Sequence, residues 1–354
     1  MHRQQDYDHP VQLGQQLTLR NGYCLAPLST QTALFNGEVS RNDCYFHQQH
    51  AKYVGLDIVG SAYVAVNGST AMGSISVADD QKIPGLRQLA TTIQRTGAKA
   101  ILQLVHAGRM TNPVITQGTA VVAPSTIQAT HGAGGLPETL TAQAIDTIVD
   151  QFGAATQRAI LAGFDGVELH GANGFLLQQF LSPLSNRRTD AFGDTLENRL
   201  RVPLMVVKRV LQVAKQASKP FVVGYRFSPE EVESGGLSLV DSLVLTHLLS
   251  HLPLSYLSLS LRRYNQQPVT IKSTKTVVDL IAAETTLPLM VAGHIRTASD
   301  VQTVAAVARL VAIGRPLMVD PHWPLFFRQP ERLKTTREVT AAEVGITQQL
   351  FHYL

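Results

Sequence analysis

Ala100-Ile101-Leu102-Gln103-Leu104-Val105 is a run of six residues in which only Gln103 is polar. A strand with one wet face alternates apolar and polar side chains, whereas a nearly unbroken apolar run suits a parallel sheet covered on both faces. The same texture recurs along the chain, and we read strands at residues 22–28, 56–62, 98–105, 164–170, 220–227, 254–261, 287–292 and 309–314. Each is followed by a stretch with helical spacing, at about 42–54, 85–96, 141–162, 195–217, 238–250, 274–284, 297–307 and 323–332. Eight strands alternating with eight helices predict a closed parallel α/β barrel, the (β/α)8 TIM barrel. The rival doubly wound open sheet would carry G-x-G-x-x-G after its first strand. Here Gly22 is followed by Tyr23-Cys24-Leu25-Ala26-Pro27.

Composition agrees with one core-rich unit, and we expect a single domain over 1–354. Of 354 residues, 44% are hydrophobic and 16% charged, against roughly 25% charged in ordinary soluble domains. No stretch approaches the ~18 uninterrupted apolar residues of a membrane span. The opening Met1-His2-Arg3-Gln4 has no apolar export core, so a cytoplasmic protein is expected. Cys24 and Cys44 are too few for an iron–sulfur cluster, which takes about four thiolates, and no metal-ligand spacing stands out. Thirty basic residues against 26 acidic give a net charge of +4 without a dense basic block, so nucleic acid is not an expected partner. Residues 1–20 are expected to form a hairpin plugging one barrel end, and 333–354 a C-terminal tail. Residues 106–139 carry Pro113, Gly118, Pro124, Gly132, Gly134, Gly135 and Pro137. That is too many breakers for a helix, and we expect an excursion over the active-site face.

In such barrels chemistry sits at the C-terminal ends of the strands. Gly293 and Gly314 follow the last two strands, next to Arg296, Arg315 and Thr297, the expected N-cap of the following helix. Glycines there either let backbone N–H groups approach a phosphate or merely make tight turns. His170 and Asn173, three apart after the fourth strand, could grip one oxygen atom; a satisfied turn histidine is the plainer alternative, and zinc lacks further ligands. Gln103 and Arg226, inside apolar strands, each require a partner, in a ligand or in a structural network.

The ordered motifs resemble the Old Yellow Enzyme family of FMN-dependent NAD(P)H oxidoreductases, from about residue 10 to about 328. The strongest segment is Ala162-Gly163-Phe164-Asp165-Gly166-Val167-Glu168-Leu169-His170-Gly171-Ala172-Asn173-Gly174. It continues through Gln179-Phe180-Leu181-Ser182-Pro183 and Asn186-Arg187-Arg188-Thr189-Asp190, supported by Ala26-Pro27-Leu28-Ser29, Gln103 to Arg109 and Ala312-Ile313-Gly314-Arg315-Pro316. The resemblance implies FMN at the C-terminal rim and NADH or NADPH as electron donor. Pro27, Leu28 and Ser29 would line the flavin, with Ser61 near the same edge. Gln103 would read the pyrimidine part of the ring, and Arg226 would face N1/O2. Gly293, Gly314 and Arg315 would hold the phosphate. His170 and Asn173 would bind the oxygen of a small electrophilic acceptor. Relatives range from monomers to tetramers, which leaves a homo-oligomer open.

One position departs from the family. Where a proton-donating Tyr usually stands, two residues after the Asn, this chain has Phe175, which has no proton to give. Tyr264, Tyr63 or water would then have to serve, and acceptors that need no such donor, such as quinones, nitro compounds or dioxygen, gain ground over simple enones. Asp194 also stands where the pattern usually has Gly. Competing readings are an FMN-binding barrel with weak or specialised turnover, a tRNA-modifying flavin barrel and a flavin-free phosphosugar barrel.

Overall fold

The computed structural model describes residues 7–14, 17–130 and 134–352. Eight parallel strands close a barrel, each paired with its chain neighbours and the last with the first. They are β1 Tyr23–Leu25, β2 Leu56–Tyr63, β3 Lys99–Val105, β4 Gly166–Gly171, β5 Val222–Phe227, β6 Tyr256–Ser260, β7 Leu289–Ala292 and β8 Leu310–Ile313. The surrounding helices are α1 Arg41–His50, α2 Ile83–Arg95, α3 Ala142–Ala162, α4 Leu196–Ala214, α5 Leu239–Ser250, α6 Val277–Glu284 and α7 Ala298–Ala305. The expected barrel is therefore the observed one. No helix among the described residues is long and apolar enough to cross a membrane.

Local chemistry explains where the elements begin and end. Ser40, Ser238, Thr276 and Thr297 each open a helix with a capping box closed by an Asp three residues on. The hydroxyl accepts an otherwise orphaned helix N–H while the carboxylate accepts the cap's own N–H. Gly163 ends α3 at a φ of 88°, a left-handed turn that costs glycine little. β1 stops short of the expected residue 28, because Pro27 has no N–H for the ladder. The eighth helix expected over 323–332 is not there. In its place are short helices Arg315–Val319 and Trp323–Phe326 and a 3-10 turn Pro330–Arg332. Pro316, Pro321, Pro324 and Pro330 fall too close together for a continuous ladder. A short helix, Leu176–Leu181, was not foreseen.

A hairpin, Val11–Leu13 paired antiparallel with Leu17–Leu19, precedes β1. Its Val11, Leu13, Leu17 and Leu19 pack with Leu56, Ile58, Ile101, Val222, Met290 and Leu310 from the barrel strands, sealing the N-terminal end as expected. Residues 1–6 and 15–16 of the expected cap lie outside the described residues. The excursion contains one short parallel pairing, Val122–Ala123 with Glu138–Thr139; its residues 131–133 also lie outside. The tail carries Ala341–Val344 and Gln348–Phe351 and packs on α1, where a Cβ on Gly345 would stand 3.1 Å from the Tyr45 ring. Residues 353–354 are not described.

Above the apolar plug the barrel interior turns polar. Strand register aligns Gln103 with Glu168, Glu168 with Gly224 and Gly224 with Tyr256. His170 and Ser258 align with Arg226 one step nearer the rim. Because side chains alternate faces with a period of two, each register row shares one level. Gly224 has no side chain, and the Tyr256 ring fills the space a Cβ would take. Gly224→Ala is therefore expected to destabilise the protein by about 1–3 kcal/mol through overpacking. Urea denaturation would read this as a lowered midpoint, and an unchanged midpoint would show that the fully buried Tyr256 can move aside.

Candidate active site

The ends of β1, β5, β7 and β8 bring six of the expected residues together. Pro27, Leu28, Arg226, Gly293, Gly314 and Arg315 line one cavity of about 240 Å³, joined by His294 and Arg296. Among the described residues, three arginines and no carboxylate line it, which makes it a place for an anion. Gly293 is required there: a Cβ would stand 2.9 Å from the Tyr264 backbone nitrogen and 3.0 Å from the Leu261 Cβ. At Gly314 a Cβ would meet only ordinary contacts, so close packing does not demand that glycine.

Ser29, Ser61 and Gln103 lie outside that lining. Ser29 is exposed and bridges to Gly60 of β2. Gly60 permits the approach, since a Cβ would sit 2.6 Å from the Leu28 nitrogen. Next to it the β2–β3 register slips between Val59 and Ala62, a bulge of the kind that re-aims side chains at a barrel rim. Ser61 stands in it, buried. Gln103 is one level deeper, donating from Nε2 to Glu168 Oε1 at 2.7 Å.

Glu168 was quoted in the sequence only as part of a motif, yet it is the fully buried carboxylate at the centre of this layer. Burial raises its pKa, opposed by the charge of Arg226 and by Gln103, Tyr256 and Ser258. Glu168 Oε2, the Tyr256 hydroxyl and the Ser258 hydroxyl nevertheless lack partners in hydrogen-bond geometry. Arg226 is buried too. Its Nη2 donates to Ser260 Oγ at 3.1 Å, while Nε and Nη1 have no partner. The partner expected from the sequence is thus only half supplied by the protein.

A second cavity, of about 400 Å³, opens beside the first, and Leu261 lines both. Asn173, Ser228, Ser260, Arg109, Arg262 and Glu233 are on its wall. Arg109, Met110, Ala129 and Thr130 come from the excursion, which accordingly reaches this face. His170 is buried, and its Nδ1 accepts the Ala172 N–H at 3.3 Å. The ring proton is thereby assigned to Nε2. Burial and the nearby Arg226 charge hold His170 well below the usual histidine range. Phe175 packs edge-on against that imidazole, ring centroids 4.8 Å apart.

The two spare tyrosines point elsewhere. Tyr264 donates its phenol to Asp300 Oδ1 at 2.9 Å, holding the capping carboxylate of α7. The Tyr63 hydroxyl is turned into the loop at Gly37 and Ser76. Position after a strand told where each residue emerges but not where its hydroxyl goes. Ser228 and Ser260 were the other residues missed; the alternation Ser258, Ser260 in β6 was the available signal, since hydroxyls on one face of an interior strand need partners.

A family model described as NADH:flavin oxidoreductase / NADH oxidase matches residues 8–334. The probable NADH-dependent flavin oxidoreductase YqiG of Bacillus subtilis is 38% identical over 312 residues, 87% of this chain and 83% of its own length. The NADH:acrylate oxidoreductase of Vibrio harveyi is 36% identical over 316 residues, and the NADH:fumarate oxidoreductase of Klebsiella pneumoniae 34% over 342. The chain spans only 31% and 37% of those two proteins, which align with 86% and 94% of it. The structure of morphinone reductase superposes with a TM-score of 0.84 at 26% identity, over 98% of this chain and 94% of the other. The chain belongs to the NADH:flavin oxidoreductase / NADH oxidase family, the Old Yellow Enzyme barrels, and is an oxidoreductase with FMN as its cofactor.

Proposed function

We propose that the chain passes electrons from NADH, through FMN held at the barrel mouth, to a small electron-poor acceptor whose reduction needs no proton from residue 175. Quinones and nitro compounds fit best, with activated alkenes as poorer acceptors. The observation that carries this is Arg226, a buried guanidinium with two N–H-bearing atoms unpartnered at the mouth of the barrel. A buried cation left half satisfied is costly unless a ligand completes it. The anion-favouring cavity beside it suits a phosphate, and Gln103 keeps a second N–H and a carbonyl for the edge of a heteroaromatic ring.

The chemistry that bound FMN supplies is hydride uptake and return. The chain supplies position and charge. Pro27 and Leu28 would wall the ring, with Ser29 and Ser61 at one edge. Gly293, Gly314 and Arg315 would take the phosphate, with Arg296 adding charge. Arg226 would stabilise negative charge at the pyrimidine edge, a preorganised contribution of ~2–4 kcal/mol. His170 Nε2–H and the Asn173 amide would donate to the acceptor oxygen. The three relatives named above all carry NADH in their names, and acrylate and fumarate distinguish two of them, which supports NADH on this side of the reaction. Their acceptors belong to them, two being much longer proteins.

Purified protein loaded with FMN is expected to bleach anaerobically with NADH and to recover its absorbance on adding menadione. Failure to retain FMN, or no bleaching with either NADH or NADPH, would overturn the proposal. Phe175→Tyr is expected to raise turnover with cyclohexenone tenfold or more, within the 10²–10⁴ range of general acid catalysis, while leaving the NADH half-reaction unchanged. Stopped-flow measurement of the two half-reactions checks this. Because His170 is held neutral, the menadione KM is expected to stay flat from about pH 8 to 6. An inflection near the ordinary histidine value that disappears in His170→Asn would show the imidazole titrating instead.

A further inference from the structure

Asn173 occupies a left-handed backbone position, φ 57°, which asparagine tolerates better than other side-chain-bearing residues. Two serines from neighbouring strand ends hold it. The Asn173 N–H donates to Ser228 Oγ at 3.0 Å, and the Ser260 hydroxyl donates to Asn173 Oδ1 at 2.9 Å. Ser260 Oγ in turn accepts from Arg226 Nη2 at 3.1 Å.

We infer that Ser260 is a positioning residue that fixes which way the Asn173 carboxamide faces, so that its NH₂ group points to the acceptor. This rests on the proposed function above. The argument is one of hydrogen-bond polarity. A guanidinium has donors and no acceptor, so the first bond can run only from Arg226 to Ser260. The serine keeps one hydrogen, and the acceptor it meets is Asn173 Oδ1. With the oxygen turned to Ser260, the amide nitrogen is left for a ligand oxygen. The reverse amide orientation would strand the serine hydrogen and present an acceptor to an acceptor, and each such mismatch costs free energy. Arg226 does not change protonation over any working pH, so the polarity is permanent. Ser260 lines the cavity that holds Asn173, and Arg226 lines the other. One hydroxyl thus joins the residue facing the cofactor side to the residue facing the acceptor side.

The test is equilibrium binding of cyclohexanone, a ketone without a reducible double bond, to oxidised FMN-loaded protein, followed by absorbance titration. Ser260→Ala is expected to weaken binding about three- to tenfold, the loss of one net hydrogen bond. Ser260→Thr, which keeps the hydroxyl, is expected to stay within about twofold of the parent. The menadione KM should rise in Ser260→Ala by a similar factor and stay near the parental value in Ser260→Thr. In an Asn173→Ala background, Ser260→Ala should have no further effect, because two residues acting through one contact are not additive. If Ser260→Ala fails to retain FMN, Ser260→Cys, a weak donor, reads the same comparison. Parental cyclohexanone affinity in Ser260→Ala, or an equal loss with and without Asn173, would overturn the inference. Absence of flavin reduction by NADH in the parent protein would instead overturn the functional reading on which it rests.

Discussion

The constraint on which the site depends is a guanidinium buried inside a barrel. Arg226 rises from a strand whose neighbours are all buried, over a plug made of Val11, Leu13, Leu17 and Leu19. Removing that charge from water costs several kcal/mol, and an imperfectly matched counter-charge does not restore it. Glu168 attracts it, but the carboxylate is itself desolvated and shared with Gln103. The protein therefore holds an unfinished electrostatic arrangement, one that the cofactor placed there under the proposed function would complete. By mass action that cofactor would then also stabilise the fold.

The barrel was legible because its strands are nearly unbroken apolar runs and each is followed by a stretch with helical spacing. That Gly293, Gly314, Arg226, Pro27 and Leu28 line one cavity was legible for a related reason: each stands at or just after the end of a barrel strand, and those ends share one rim. What the sequence hid was direction. Glu168 is indistinguishable from a solvated strand glutamate until the register places it beside Gln103 and beneath Arg226. Tyr264 and Tyr63 emerge at strand ends, yet one phenol serves a helix cap and the other a loop. The eighth helix failed for a visible reason, since apolar spacing over residues 323–332 was read across two prolines at positions that deny a ladder.

Phe175 stands where the family resemblance implies a tyrosine. Its ring packs edge-on against His170, a contact the apolar face of a phenol could make as well, so the substitution leaves the imidazole's seat intact. What changes is the acceptor's second requirement. On the proposed reading, a quinone or nitro oxygen that gains electrons could be protonated at the same oxygen that His170 and Asn173 would hold, and Asn173 is exposed to solvent. An enone needs its proton on carbon, and Phe175 has none to give. In the proposed clamp, the held oxygen would receive negative charge with an enone as with a quinone or nitro acceptor; what would separate the classes is the proton, which an enone needs on carbon and the others take on the heteroatom.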